Sequence, residues 1–215
     1  DLWPISGAEH ISFYDYYLNG YKNTSGNALR RDILNRWVWK NKKNLFNNKN
    51  INIVAPSKWM AKQIKKSTIS NNLSISVIPN AIDTELWRPV KKNEARRALN
   101  IPFDKKVILF GLYGDTNVKN KGFDLLVKAL AKIEYDKSKI IIMTFGGENK
   151  ESIEALGYKM RNFGFISEGE LMRNIYSVAD IYVMPSRIES FGQTASEASA
   201  CGTPVVAFNG TGVAD

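Results

Sequence analysis

The sequence predicts an α/β fold built on a parallel, doubly wound sheet, and three observations carry that expectation. Apolar runs centred near residues 109, 142, 164, 183 and 206 alternate with helix-period segments, as repeated strand–helix units do. The run over 140–145 is continuously apolar, which suits a strand covered on both faces. Residues 180–208 supply one complete unit: the apolar stretch Ile181–Met184 ended by Pro185, a helical segment stopped by Gly202 and Pro204, then a second apolar run over 205–208.

Taken in order, the aromatics Phe13, Tyr14, Tyr16, Tyr17 and Tyr21 precede a segment in which Leu29, Ile33, Trp37 and Val38 follow helical spacing among Lys and Arg. This predicts a basic amphipathic helix over about 28–46, its stripe turned into a core or onto a membrane surface. An Asn-rich turn follows over 44–50, then a buried strand over 50–55. Ser57 is a natural N-cap for a helix over 58–67. The next strand starts at Ser74, and Pro79 with Asn80 breaks its ladder. A helix around 93–99, a strand over 107–112, a loop over 113–122 and an amphipathic helix over 123–133 come next. Gly146-Gly147 closes the strand over 140–145, a shorter strand is expected within 162–167, and a helix across 167–180 leads into the central unit. There Ser190 and Gln193 match a Ser-x-x-Gln capping box, which would start the helix at Phe191.

A parallel strand–helix–strand unit leaves ligand space beyond the carboxyl end of its first strand. Glu189 and the helix start belong there, and Glu197 follows eight residues later. Carboxylates accept hydrogen bonds from sugar hydroxyls, and free N–H groups at a helix start suit phosphate. By spacing alone, solvated glutamates on an ordinary surface helix fit as well. Lys121-Gly122 likewise stands at a helix start, where a lysine adds mobile positive charge to the N–H donors.

The run Glu189-Ser-Phe-Gly-Gln-Thr-Ala-Ser-Glu197, followed by Ala200-Cys-Gly-Thr-Pro-Val-Val, resembles the Glu-x7-Glu signature of retaining GT-B glycosyltransferases of family 4. That resemblance implies two Rossmann-like domains and transfer of a hexose from a nucleotide-diphosphate sugar to a polysaccharide or lipid-linked saccharide. It implies Glu189 against the donor hexose, Glu197 on the ribose hydroxyls, Lys121 on the diphosphate and main-chain contacts from Phe191, Gly192 and Thr194. The 164–167 turn, with Ile166, resembles the loop that touches the donor base through its backbone. Ala-Pro-Ser-x-Trp at 55–59 and Ile-Pro-Asn-Ala-Ile-Asp-Thr-x-x-Trp-x-Pro at 78–89 also resemble the family, the latter at the crossing between domains. The implied division is 1–88 for part of an acceptor-binding domain and 89–215 for part of a nucleotide-sugar-binding domain. Asp1-Leu-Trp-Pro-Ile-Ser-Gly resembles exopolysaccharide and capsule members midway through their first domain, so both domains are expected to be incomplete. One departure stands out: many members carry an arginine soon after the first strand's glycine, whereas Leu112 and Tyr113 follow Gly111 here.

Net charge is +9, and residues 1–100 hold 17 Lys and Arg against 7 Asp and Glu, while 101–215 hold 13 against 14. The basic first half favours an anionic partner, and peripheral contact with the inner face of the plasma membrane is expected from it. No nucleic-acid partner is expected, and a basic Rossmann-like module that binds nucleic acid stays only as the less favoured alternative, because the second half is not basic and carries no RNP-type stacking sequence. An inactive nucleotide-sugar binder remains the other class to separate from an enzyme. The single cysteine, Cys201, excludes an internal disulfide, fits a cytoplasmic setting and reads as a packing thiol. No apolar run reaches the roughly 20 residues a membrane span needs. His10, the single histidine, has only Glu9 beside it and fits a structural or acceptor-side role. Without metal-ligand spacing, no metal and no other cofactor is expected, and the leaving diphosphate would be stabilised by Lys121 and oriented N–H groups.

Overall fold

The computed structural model describes residues 2–12, 14–22, 29–47, 50–71, 73–111, 119–147 and 151–215. The expected departure at Leu112 and Tyr113, and the loop 113–118, lie outside the described residues. The chain divides into two compact units: residues 1–80 with 188–191 and 210–215, and residues 81–187 with 192–209.

In the first unit, helix α1 (Leu29–Asn47) precedes strand β1 (Asn52–Ala55), helix α2 (Lys58–Lys66) and strand β2 (Ser74–Val77), which pairs in parallel with β1. Ser57 caps α2 as expected, its extended backbone letting the hydroxyl accept the Met60 N–H at 3.0 Å. The helix α1 runs through residues 44–47, where the sequence suggested a turn. Of the two orientations expected for its stripe, the core-facing one is not adopted: Ile33 and Trp37 are each 62% exposed, while Asn35 and Trp39 face the core. Two local contacts fix that rotation. The Asn35 side chain accepts the Ala8 N–H at 2.8 Å, and the Trp39 ring lies so close to Gly20 that a Cβ there would meet it at 2.8 Å. The inward Asn35 amide thereby satisfies a backbone donor 27 positions away. Trp39 packs in a core with Leu2, Ile5, Tyr17, Ile64 and Ile69.

The second unit holds a five-stranded parallel sheet. Helix α3 (Lys92–Ala98) leads to β3 (Lys106–Gly111), followed by α4 (Phe123–Leu130), β4 (Ile140–Phe145), a single turn α5 (Glu151–Glu154) and β5 (Lys159–Asn162). Helix α6 (Gly169–Val178), β6 (Ile181–Met184), α7 (Gln193–Ala200) and β7 (Val205–Ala207) complete it. Strand order is β5-β4-β3-β6-β7, so the winding reverses between β3 and β6. Ile108, Phe110, Ile140 and Ile142 face α4 and Tyr158 in one core. Val107, Leu109, Ile141 and Met143 alternate to the other face and are equally buried, so helices must cover both sides.

Two expectations here need correction. The strand expected within 162–167 lies upstream at β5, because Gly164 takes a left-handed backbone (φ +63°) and the Asn162 side chain accepts its N–H at 2.9 Å, turning the chain. The helix expected to start at Phe191 starts at Gln193, capped by left-handed Gly192 (φ +86°) with no side-chain cap. Ser190 does not serve as that cap; its carbonyl accepts the Ser57 hydroxyl at 2.6 Å within the first unit. The far end of α7 closes as the sequence suggests. Gly202 is left-handed, and the N–H groups of Gly202 and Thr203 reach the carbonyls of Ser199 and Ala198, each at 2.9 Å, which is the Schellman pattern.

Candidate functional site

The reversal between β3 and β6 opens a crevice at the carboxyl edge of the sheet, the position at which doubly wound sheets bind ligands. The helices that follow those two strands, α4 and α7, both begin on that edge. Gly122 caps α4 with φ +70°, and it lies so close to the end of β6 that a Cβ would sit 2.0 Å from the Pro185 carbonyl oxygen. No side chain fits there, so glycine is required for both backbone angle and space. The preceding turn is pinned as well. Arg187 donates its backbone N–H to the Asn120 carbonyl at 2.8 Å and grips Asp124 with both guanidinium arms at 2.8 and 2.7 Å. It also donates to the Lys119 carbonyl. This guanidinium holds the Asp124 carboxyl below the usual carboxylate range. Lys121 is thus carried, half-buried, on a braced turn two residues ahead of the first residue of α4.

Within the same unit a cleft of about 400 Å³ is lined by Phe145, Gly146, the loop 165–169, Trp87, Tyr176, Thr194 and Glu197. Loop 165–169 brings Ile166 to it, and α7 brings Thr194 and Glu197. The latter two are three residues apart on a helix and therefore share a face. Small buried residues of the opposite side, Ala195 and Ala198, let α7 pack closely.

Below the cleft lies a cluster of four rings. Tyr176 has no exposed surface and meets Trp87, Phe145 and Tyr182 edge-on at centroid distances of 5.8, 5.9 and 5.9 Å, an arrangement favoured by ring quadrupoles. Its hydroxyl donates to Glu197 Oε2 at 3.0 Å, and the Tyr182 hydroxyl donates to Thr194 Oγ1 at 3.0 Å. Burial raises the Glu197 carboxyl above the ordinary glutamate range, and hydrogen bonds from Tyr176 and Gln193 oppose that rise. Burial raises the Tyr176 phenol far above its usual value, so it stays protonated and donates. Cys201 is buried and its thiol is pushed up by burial to about 11, which suits packing rather than attack.

The sequence-expected site residues therefore fall into groups. Ile166, Thr194 and Glu197 line one cleft, Gly192 caps the helix that carries two of them, and Lys121 stands on the braced turn, not among the residues lining that cleft. Glu189 and Phe191 fall in the other unit, where the Glu189 carbonyl accepts the Gly212 N–H at 2.7 Å. Sequence reasoning missed the ring cluster and the Arg187–Asp124 clasp. Their members are up to 95 and 63 positions apart, and no local pattern links them.

Residues 91–215, more than half of the chain, match the family model for glycosyl transferases group 1. The chain belongs to that family. Among curated proteins the chain is similar to D-inositol 3-phosphate glycosyltransferase 1 of Catenulispora acidiphila, 32% identical over 148 residues, with 62% of this chain and 35% of that protein covered. The chain spans about a third of the length of the curated relatives it matches. Among solved structures, sucrose-phosphate synthase of Thermosynechococcus elongatus superposes with a TM-score of 0.66 at 28% identity, covering 87% of this chain and 46% of that one. HepE of Anabaena, solved in complex with UDP-glucose, superposes with a TM-score of 0.64 at 22% identity, covering 80% of this chain and 49% of that one. The fold is a fragment of the GT-B glycosyltransferase fold, as the motif run predicts.

Proposed function

We propose that this group 1 chain is the donor-binding part, with a portion of the acceptor-binding part, of a retaining family 4 glycosyltransferase that moves a hexose from a nucleotide-diphosphate sugar to a polysaccharide or lipid-linked saccharide. The observation that carries the reading is the grouping of Glu197, Thr194 and Ile166 around one cleft at the carboxyl edge of the reversing sheet. In this reading residues 1–88 and 89–215 are the two partial domains. Glu197 accepts the ribose hydroxyls, the Ile166 backbone meets the base, and the N–H groups around Gly192 and Thr194 meet phosphate. Lys121 neutralises charge on the departing diphosphate, as a cation aimed at a developing anion does, and no metal is needed for that role. On the family pattern, Glu189 and the Phe191 backbone contact the donor sugar. HepE binds UDP-glucose in its crystal, which supports a UDP-sugar among the donors to try first.

A second element concerns placement. Helix α1 turns Ile33, Leu34, Trp37 and Leu45 outward in the half of the sequence that holds the excess of Lys and Arg. That combination supports peripheral contact with an anionic cytoplasmic membrane face. Among the described residues no helix is long and apolar enough to cross a membrane.

Calorimetric titration with UDP- and GDP-sugars tests the donor reading. Saturable binding of at least one of them, lost in Glu197→Ala, is the expected result. A wild-type chain that binds neither, or a variant that binds as tightly as the wild type, refutes it, and hexose transfer to an added acceptor separates enzyme from binder.

A further inference from the structure

We infer that Tyr176 is a positioning residue for donor binding: its fully buried hydroxyl fixes the Glu197 carboxylate in the cleft, while Tyr182 anchors the neighbouring Thr194 hydroxyl. The inference rests on the reading of this cleft as the donor site. Its basis is the pairing of two phenols on different elements, α6 and β6, with the two polar side chains that α7 presents to the cleft.

Desolvating a phenol O–H is unfavourable unless an acceptor waits for it, so each buried hydroxyl is tied to a definite partner. Here both acceptors are the cleft residues themselves. The Tyr176 ring is held by Trp87, Phe145 and Tyr182, and its own carbonyl accepts the Thr203 hydroxyl at 2.5 Å, so the donor cannot swing away from Glu197. Donation from Tyr176 and Gln193 takes two of the carboxylate's roughly four acceptor sites and leaves the others for a ligand. It also opposes the rise that burial imposes on the Glu197 carboxyl. Tyr176 from α6 and Gln193 from α7 hydrogen-bond this carboxylate, Cys201 at the C-cap of α7 is the further titratable group that interacts with it, with Arg173 of α6 facing Cys201, and Glu168 lines the same cleft.

The test is Tyr176→Phe in the full chain, with Tyr158→Phe as control. Tyr158 is also buried, and its hydroxyl donates to the Leu130 carbonyl at 2.8 Å, so the control loses the same atom elsewhere. Two quantities are read. In the free protein, carbon-13 titration of glutamate carboxyls should show the Glu197 midpoint higher in Tyr176→Phe than in the wild type, and unchanged in Tyr158→Phe. With UDP-glucose and GDP-mannose as probes, Tyr176→Phe should weaken binding about ten- to hundred-fold at neutral pH, the size expected for one hydrogen bond to a charged group. The decline on acidification should begin at a higher pH than in the wild type, which a merely looser fold would not produce. A Glu197 midpoint unmoved by Tyr176→Phe overturns the inference whether or not a nucleotide sugar binds. A wild type that binds while the variant keeps the same affinity and pH profile overturns this inference alone. A wild type that binds neither probe overturns the donor reading and this inference with it.

Discussion

Gly122→Ala is the sharpest single test of how the crevice is built. The added Cβ would lie 2.0 Å from the Pro185 carbonyl oxygen, where ordinary contact begins at 3.4 Å, a shortfall of 1.4 Å against a backbone atom that cannot rotate aside. The substitution also forces an alanine to φ +70°, a left-handed angle that costs about 1 kcal/mol for an L side chain. Relieving the contact requires the turn over 119–122 and the end of β6 to part, and overpacking of this kind costs about 1–3 kcal/mol more. Gly157→Ala supplies the reference: its φ is +86°, yet nothing lies within 4 Å of the added atom. Urea denaturation followed by circular dichroism should give a loss of about 2–4 kcal/mol for Gly122→Ala against about 1 kcal/mol for Gly157→Ala. In thermal scans the gap corresponds to several degrees, at roughly 2–4 °C per kcal/mol for a chain of this size. Because Lys121 rides on the displaced turn, nucleotide-sugar binding should fall in Gly122→Ala and hold in Gly157→Ala. Equal stability losses in the two variants would refute the reasoning, since the backbone angle alone would then explain both.

Asp180→Asn should destabilise the second unit by about 2–3 kcal/mol in urea, because it leaves the buried Arg96 without its carboxylate. Asp180 bonds Lys92 at 2.6 Å, Arg96 at 3.3 Å and the Val107 N–H at 2.7 Å. Burial raises this carboxyl, but those hydrogen bonds and charges outweigh it and hold it below the ordinary aspartate range. Its stabilising contribution is therefore present at neutral pH and fades as pH falls through that lowered value, a slope the variant should lack. Trp39→Ala should cost about 3–5 kcal/mol by emptying the first unit's core, whereas Trp37→Ser, on the outward face of the same helix, should change stability by under about 0.5 kcal/mol. The same Trp37→Ser should weaken cosedimentation with phosphatidylserine vesicles; unchanged cosedimentation would remove the case for membrane contact through α1.

The sequence by itself determined the sheet class and the residues most worth testing. A strand such as Ile140–Phe145 is legible because a strand buried on both faces must be largely apolar, and that requirement is written locally. The stop at Gly202 is legible for the same reason, since one residue must bear the left-handed angle that ends α7. The Glu-x7-Glu run singles out Glu197 and Thr194 by local pattern. Tertiary structure alone decided the rest. It turned Asn35 inward and Trp37 outward, because the Ala8 N–H lies 27 positions from the amide that satisfies it. It moved the start of α7 from Phe191 to Gln193, because Gly192 rather than Ser190 takes the capping position. It also seated Tyr176 under Glu197 and Arg187 against Asp124, pairings made by the winding order of the sheet. Local chemistry sets which residues can form an element, whereas which polar groups meet inside the fold depends on distances that only the packed chain defines.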